Sequence, residues 1–208
     1  MTSATQNCHS LIIGSGAAGL TLALRLAEAG RAVTVLSKAA LSEGSTLYAQ
    51  GGISAVLDAG DSISAHIDDT LTAGAGLCDE RAVRFAVEHG RQAIEWLIAR
   101  GVPFTPAEDE TGYAYHLAQE GGHSHRRIIH AADATGRAVE NTLEGLARAN
   151  PLITVLEHQV AIDLICETQA RGQRRCVGLY ALDRRAGRVG ALTADQIVLA
   201  TGGANLAY

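Results

Sequence analysis

The chain has 208 residues, of which 47% are hydrophobic and 19% charged, and its formal net charge is -5. That is enough apolar material for one large or two small cores, and it excludes a disordered chain. Seventeen Lys and Arg with no long basic block give no footprint for a nucleic acid, while 23 glycines point to many tight turns or to backbone lying close to a ligand.

Residues 11–13 read as a short, fully apolar strand of the kind found at the centre of a parallel sheet. Gly14, Gly16 and Gly19 follow in G-x-G-x-x-G spacing. Leu20, Ala23, Leu24 and Ala27 then recur at helical spacing, up to Gly30 where a helix-terminating glycine belongs. Residues 32–36 form a second strand. In this strand–helix–strand setting each glycine has a task in a dinucleotide site. Gly14 turns the chain tightly, Gly16 leaves room for a pyrophosphate, and Gly19 lets the helix approach the sheet. The helix start adds unpaired N–H groups and the positive end of a dipole. Nicotinamide sites place an acid about 20 residues beyond the glycines, and none stands after Leu36. Lys38 leaves open a contact with a 2′-phosphate, and equally a solvated lysine at a strand end.

Residues 37–75 have weak periodicity and are punctuated by Gly44, Gly51, Gly52 and Gly60, which predicts a long functional loop. A helix starts at Cys78 or Asp79, presents Val83, Val87, Ile94 and Leu97, and stops at Gly101. Residues 101–130, rich in Gly and His, read as irregular. A second long helix runs from Asp133, as N-cap, to Ala149, closed by Asn150 and Pro151. The last third is β-rich, with strands over 152–156 and 160–165, a hairpin of 176–182 and 189–193 around the turn 184–187, and a buried strand over 196–200 running into Thr201, Gly202 and Gly203. These elements predict an α/β, Rossmann-like fold with a parallel sheet plus a β-hairpin or antiparallel layer.

Cys8, Cys78, Cys166 and Cys176 form no C-x-x-C pair, which argues against zinc ribbons and thioredoxin-like chemistry and fits reduced thiols. Residues 1–10 lack the basic start of a signal peptide, and the apolar stretch 11–24 is too short to span a bilayer. A cytoplasmic protein without a membrane partner is expected. His116, His123, His125 and His130 invite a metal, but no Cys or second carboxylate lies at ligand spacing, so none is expected. Arg126 and Arg127 match carboxylate geometry, for a dicarboxylate ligand or for an internal ion pair.

Five motifs in order resemble the flavoprotein family of fumarate reductase and succinate dehydrogenase, and most closely its L-aspartate oxidase branch in NAD biosynthesis. They are residues 12–19, 36–38, 44–52, 120–127 with 131–136, and 199–203, so the resemblance covers essentially the whole chain. It implies FAD as cofactor. Gly14, Ser15, Gly16, Ala17, Ala18 and Gly19 would form the pyrophosphate turn, and Lys38 would meet the adenosine side. Ser45, Thr46, Leu47, Tyr48, Ala49, Gln50, Gly51 and Gly52 would meet the flavin, with the glycine pair letting backbone approach the ring. Val160 and Ala161 would border the adenine through their main chain. Fumarate reductases and succinate dehydrogenases carry a flavin-bonded histidine in this loop where the chain has Ser45, which implies non-covalent FAD.

Glu120 matches a glutamate that orients the substrate in L-aspartate oxidases, and a carboxylate beside an ammonium can position it or accept its proton. The implied reaction is oxidation of L-aspartate to iminoaspartate. Electrons would pass to oxygen or fumarate, and the product would go to quinolinate synthase. Family members are considerably longer. Residues 1–208 are therefore expected to be an N-terminal FAD-binding domain, incomplete at its C-terminus and inactive alone, with the capping domain and its arginine beyond Tyr208. A soluble fumarate reductase-like dicarboxylate enzyme and a non-catalytic FAD-binding fragment are the alternatives.

Overall fold

The computed structural model describes residues 6–108, 112–132, 134–169 and 172–203. In chain order the elements are β1 (Gln6–Ile13), α1 (Ala17–Glu28), β2 (Val33–Leu36), β3 (Ile53–Ser54), α2 (Ile63–Ala73), α3 (Glu80–Ala99), β4 (Leu117–Ala118), β5 (Ile128–Ile129), α4 (Thr135–Ala149), β6 (Ile153–Leu156), β7 (Gln159–Thr168), β8 (Arg174–Asp183) and β9 (Arg188–Leu199). Short 3-10 turns occupy Leu41–Glu43 and Ser45–Tyr48. The chain forms two compact units, Met1–Leu47 with Leu143–Tyr208 (unit 1) and Tyr48–Thr142 (unit 2).

Unit 1 holds a six-stranded sheet in the order β6-β2-β1-β9-β8-β7. The first four strands run parallel, and β8 and β7 extend the sheet antiparallel from β9. This is the expected mixed α/β fold. The nearly continuous apolar runs explain the parallel part, because strands covered on both faces are mostly apolar, and all four residues of β2 are buried, Thr34 among them. Leu11, Ile13, Leu36, Leu179, Ala181 and Ala194 form a core cluster. α1 buries Leu20, Ala23, Leu24 and Ala27. It ends at Gly30, whose φ of +72° lets its N–H reach the Ala27 carbonyl while Arg31 N–H reaches that of Leu26. That double closure needs a left-handed residue, which glycine supplies most cheaply.

Four strands are longer than the sequence pattern suggests, β7 and β8 by a few residues at their ends and β1 and β9 by more. β1 begins at Gln6 because β9 pairs with it from Gln6↔Leu192 onward. The separately expected strands over 189–193 and 196–200 are one strand, β9. Its centre keeps alternating, with Ala194 in the core and Asp195 outside, 2.8 Å from His9. The unbroken ladder, rather than hydrophobicity, carries the strand through.

In unit 2, β3, β5 and β4 make a small antiparallel sheet in that order. Residues 37–75 were expected to lack regular structure, yet they contain α2. Ser62 caps it by accepting the Ala65 N–H at 3.1 Å. Ile63, Ile67 and Leu71 form its apolar stripe and join Val56, Val83 and Val87 in one cluster. The stripe is three residues among polar neighbours, too thin to register without α3 to pack on. α3 is capped by Asp79, which accepts the Arg81 and Ala82 N–H groups, and it closes at Gly101 (φ +84°). The stretch 101–130 is mostly irregular as expected, but the two-residue strands β4 and β5 fall within it. α4 starts at Thr135, and the expected cap Asp133 lies outside the described residues.

Candidate functional site

The turn from β1 into α1 is built around glycines. Gly14 has φ +118°, and a Cβ there would collide with the Ala200 carbonyl just beyond β9. Its N–H donates to the Leu36 carbonyl at 2.9 Å, and Ala200 N–H donates to the Ile13 carbonyl at 2.8 Å, so the turn is tied to both neighbouring strands. A Cβ on Gly19 would strike the Gly14 carbonyl, so this glycine lets α1 pass over the turn. Gly16 is the N-cap of α1 and makes no side-chain cap bond. The Thr46 hydroxyl stands across from it and accepts the Ala17 N–H at 3.1 Å. Beneath them Ser15 Oγ lies 2.9 Å from Ser37 Oγ, both side chains being buried.

This helix start opens on a cavity of about 480 Å³ at the C-terminal edge of the parallel strands, where α/β sheets place their ligands. Gly14, Ser15, Gly16, Ala17 and Ala18 line one side. Lys38, Ser45, Thr46, Val160, Ala161 and the turn Ala200, Thr201 and Gly202 line the rest. The wall carrying Ser45 and Thr46 is anchored by Glu157. Its carboxylate accepts the Leu41 N–H at 2.8 Å and an Arg148 N–H at 2.7 Å. These bonds, the backbone one first, hold the Glu157 carboxyl below its ordinary range. Ser37, Glu43, Gly44 and Gln159 also line the cavity. Ser37 and Gly44 stand in the motifs 36–38 and 44–52 without an assigned role, and Glu43 and Gln159 lie outside every motif, so no sequence signal marks them.

In unit 2, Glu120 shares an open cavity of about 520 Å³ with Gln50, Gly51, Gly52 and His130. Gly51 has open space around its α-carbon, whereas a Cβ on Gly52 would meet the Ile128 side chain and the Ile129 carbonyl. Close packing on β5 is therefore reason enough for Gly52. Leu47, Tyr48 and Ala49 line neither cavity. Leu47 N–H closes on the Gly44 carbonyl, Tyr48 is exposed, and the Ala49 carbonyl accepts the Gly136 N–H.

The arginine question resolves within unit 2. The Arg127 side chain is wholly buried; its Nε and one NH2 group donate to Asp61 at 2.8 Å each, and the other donates to Asp69 at 2.7 Å. Both partners belong to or precede α2, so Arg127 is an internal ion pair. The Ser124 backbone N–H and hydroxyl also bind Asp69 and, with Arg127, lower its pKa to about 2. His66 faces this charge, and burial followed by Arg127 lowers its pKa. Arg126 is exposed and donates to the Leu117 carbonyl at 3.5 Å. The histidines do not gather. His116 Nδ1 lies 2.7 Å from His130 Nε2, and His123 packs near His66. Among the described residues no group of three or more His, Cys, Asp or Glu side chains could hold a metal.

Residues 9–207 match the family model described as FAD binding domain. The chain belongs to the FAD-binding domain family. FAD is the cofactor of this family member. The FAD-binding domain is 58% identical to L-aspartate oxidase 1 of Ralstonia nicotianae over 204 residues, covering 97% of this chain and 38% of that protein. It is 56% identical to L-aspartate oxidase of Pseudomonas aeruginosa over 203 residues, covering 95% and 38%. It spans little more than a third of the length of these relatives. Among solved structures, a mutant E. coli quinol fumarate reductase superposes with a TM-score of 0.89 at 29% identity, over 98% of this chain and 34% of that one.

The unit 1 cavity of the FAD-binding domain suits such a cofactor on its own terms. A pyrophosphate needs backbone donors that no side chain blocks, and Gly16, which has no side chain to cap α1, leaves the helix start open there except for the Ala17 N–H held by Thr46. No helix among the described residues is long and apolar enough to cross a membrane.

Proposed function

We propose that this chain is the FAD-binding portion of an L-aspartate oxidase that converts L-aspartate to iminoaspartate, passing electrons to oxygen or fumarate and its product to quinolinate synthase. The observation that carries this reading is the identity of 56% and 58% with two L-aspartate oxidases across almost the whole chain. FAD supplies the two-electron acceptor. In this reading the turn Gly14, Ser15, Gly16, Ala17, Ala18 and Gly19 holds its pyrophosphate, with the Ser15, Gly16 and Ala18 N–H groups and the helix dipole facing it, while the Gly14 and Ala17 N–H groups are engaged by Leu36 and Thr46. Lys38, Val160 and Ala161 face the adenosine half, and the stretch from Ser45 through Thr46 to Gly51 and Gly52 faces the flavin. Ser45 has no ring nitrogen with which to bond the flavin, so the cofactor is held non-covalently.

Hydride loss from Cα of aspartate requires a neutral amino group. Glu120, exposed beside Gln50 and Gly51, is the carboxylate we assign to orient the ammonium and take up its proton. In the full-length enzyme Glu120→Gln should lower aspartate turnover at least tenfold with the FAD dissociation constant unchanged, and lower fumarate reduction less, since fumarate has no ammonium. Equal losses on both substrates would return Glu120 to a structural role. The superposition on quinol fumarate reductase favours a second reading, a soluble dicarboxylate oxidoreductase. Steady-state rates with aspartate and with succinate separate the two.

A further inference from the structure

Of the four scattered cysteines, the fold brings two face to face. Cys166 on β7 is the direct register partner of Cys176 on β8. The register shifts between Ile165 and Cys166, so Val177 is an extra residue and the two cysteines meet just beyond the bulge. Directly opposed residues of antiparallel strands project to the same face, with Cα atoms about 4.5–5.5 Å apart. A disulfide spans roughly 4.4–6.8 Å between Cα atoms. Both thiols are free, Cys166 exposed and Cys176 partly buried. The other two are placed differently. Cys8 stands opposite Ala194 with its thiol on the Thr193 carbonyl, and the Cys78 thiol rests on the Thr70 carbonyl.

We infer that Cys166 and Cys176 form a peroxide-sensitive cross-strand dithiol that closes to a disulfide in the folded protein. The exposed Cys166 thiolate attacks one peroxide oxygen, breaking the O–O bond and leaving a sulfenic acid and one water. The Cys176 thiol then attacks that sulfur, the S–S bond forms, the S–O bond breaks, and a second water leaves. Two thiols lose two electrons and the hydroperoxide gains them, so the couple balances with no further reactant. Turning the Cys176 thiol toward its partner breaks a weak bond to the Gly178 carbonyl at 3.5 Å. A dithiol reductant reverses the step by thiol–disulfide exchange. The pair needs only a hydroperoxide from some source and stands apart from the proposed reaction.

Arg171, Arg174 and Arg175 lie between the two cysteines, so trypsin separates them unless they are bonded. The purified protein is treated with hydrogen peroxide in slight excess, alkylated, digested without reductant and mapped by mass spectrometry. The expected product is a linked peptide pair joining Cys166 to Cys176, two hydrogens lighter than its parts and lost on reduction, with Cys8 and Cys78 recovered alkylated. C176S should remove the linked pair and leave Cys166 over-oxidised or trapped by added glutathione. Recovery of Cys166 and Cys176 as separate peptides from the peroxide-treated wild type would overturn the inference. So would a link that forms as fast in guanidinium-unfolded protein, since proximity in sequence alone would then explain it.

Discussion

Replacing Arg127 by Met tests whether that side chain serves the fold or a ligand. The guanidinium has no exposed surface and holds Asp61, itself only 2% exposed, through two bonds of 2.8 Å. Methionine fills most of the volume but leaves the Asp61 carboxylate buried without its guanidinium partner. Removing one partner of a buried pair costs about 3–5 kcal/mol, because the remaining charge is uncompensated. Asp69 adds little, being 19% exposed and still bound by Ser124. At about 2–4 °C per kcal/mol, the melting temperature should fall by about 6–20 °C. The assay is urea denaturation of R127M, D61N and the double variant. The double variant should cost less than the sum of the singles by at least about 1 kcal/mol, since it no longer strands a charge. Below the transition, FAD affinity should be unchanged. A loss of stability under about 1 kcal/mol, joined to weaker dicarboxylate binding, would refute the ion-pair argument.

Gly16→Val places a branched side chain between Thr46 and the opening of α1. It should remove two or so charge-assisted backbone bonds at about 1.5–3 kcal/mol each, weakening FAD binding at least a hundredfold by titration, and an unchanged dissociation constant would mean the turn is misread. Acid precipitation of the FAD-loaded protein should leave all the yellow colour in the supernatant, because Ser45 offers no covalent anchor; coloured pellet would contradict this. Asp69 has its pKa lowered from 3.8 to about 2, so it stabilises the folded state above about pH 4 and loses that contribution as pH falls towards 2. The stability gap between wild type and D69N should therefore close over that window, and a gap constant from pH 6 to pH 2 would contradict the assignment.

The β1–α1–β2 unit and its cradle are legible in sequence because their constraints are local. A fully buried strand is nearly continuous in apolar residues, and the Gly14 turn admits no side chain. α2 is hidden because Ile63, Ile67 and Leu71 gain their meaning only from Val83 and Val87 on α3. The roles of Arg127 and Cys166 are hidden for the same reason. Asp61 lies 66 residues from Arg127, and no spacing rule joins Cys166 to Cys176 before the β7–β8 register is known. Glu120 was reached through family resemblance rather than periodicity, and only the fold shows it beside Gln50 and Gly51.

Sheet order also dictates a timetable for the growing chain. β2 is complete at Leu36, but its parallel neighbour β6 begins at Ile153, and all of Tyr48–Thr142 is threaded through the crossover between them. A crossover roughly ten times longer than the usual dozen residues adds only about 2 kcal/mol of closure entropy. What it delays is assembly, since such non-local pairings form late. During synthesis the inserted segment is contiguous and free to collapse first, while the nucleotide-cradling turn waits for β9 to supply Ala200 against Gly14. Within residues 1–208 the proposed FAD cradle is thus among the last parts able to form, and cofactor capture should report that this ladder has closed.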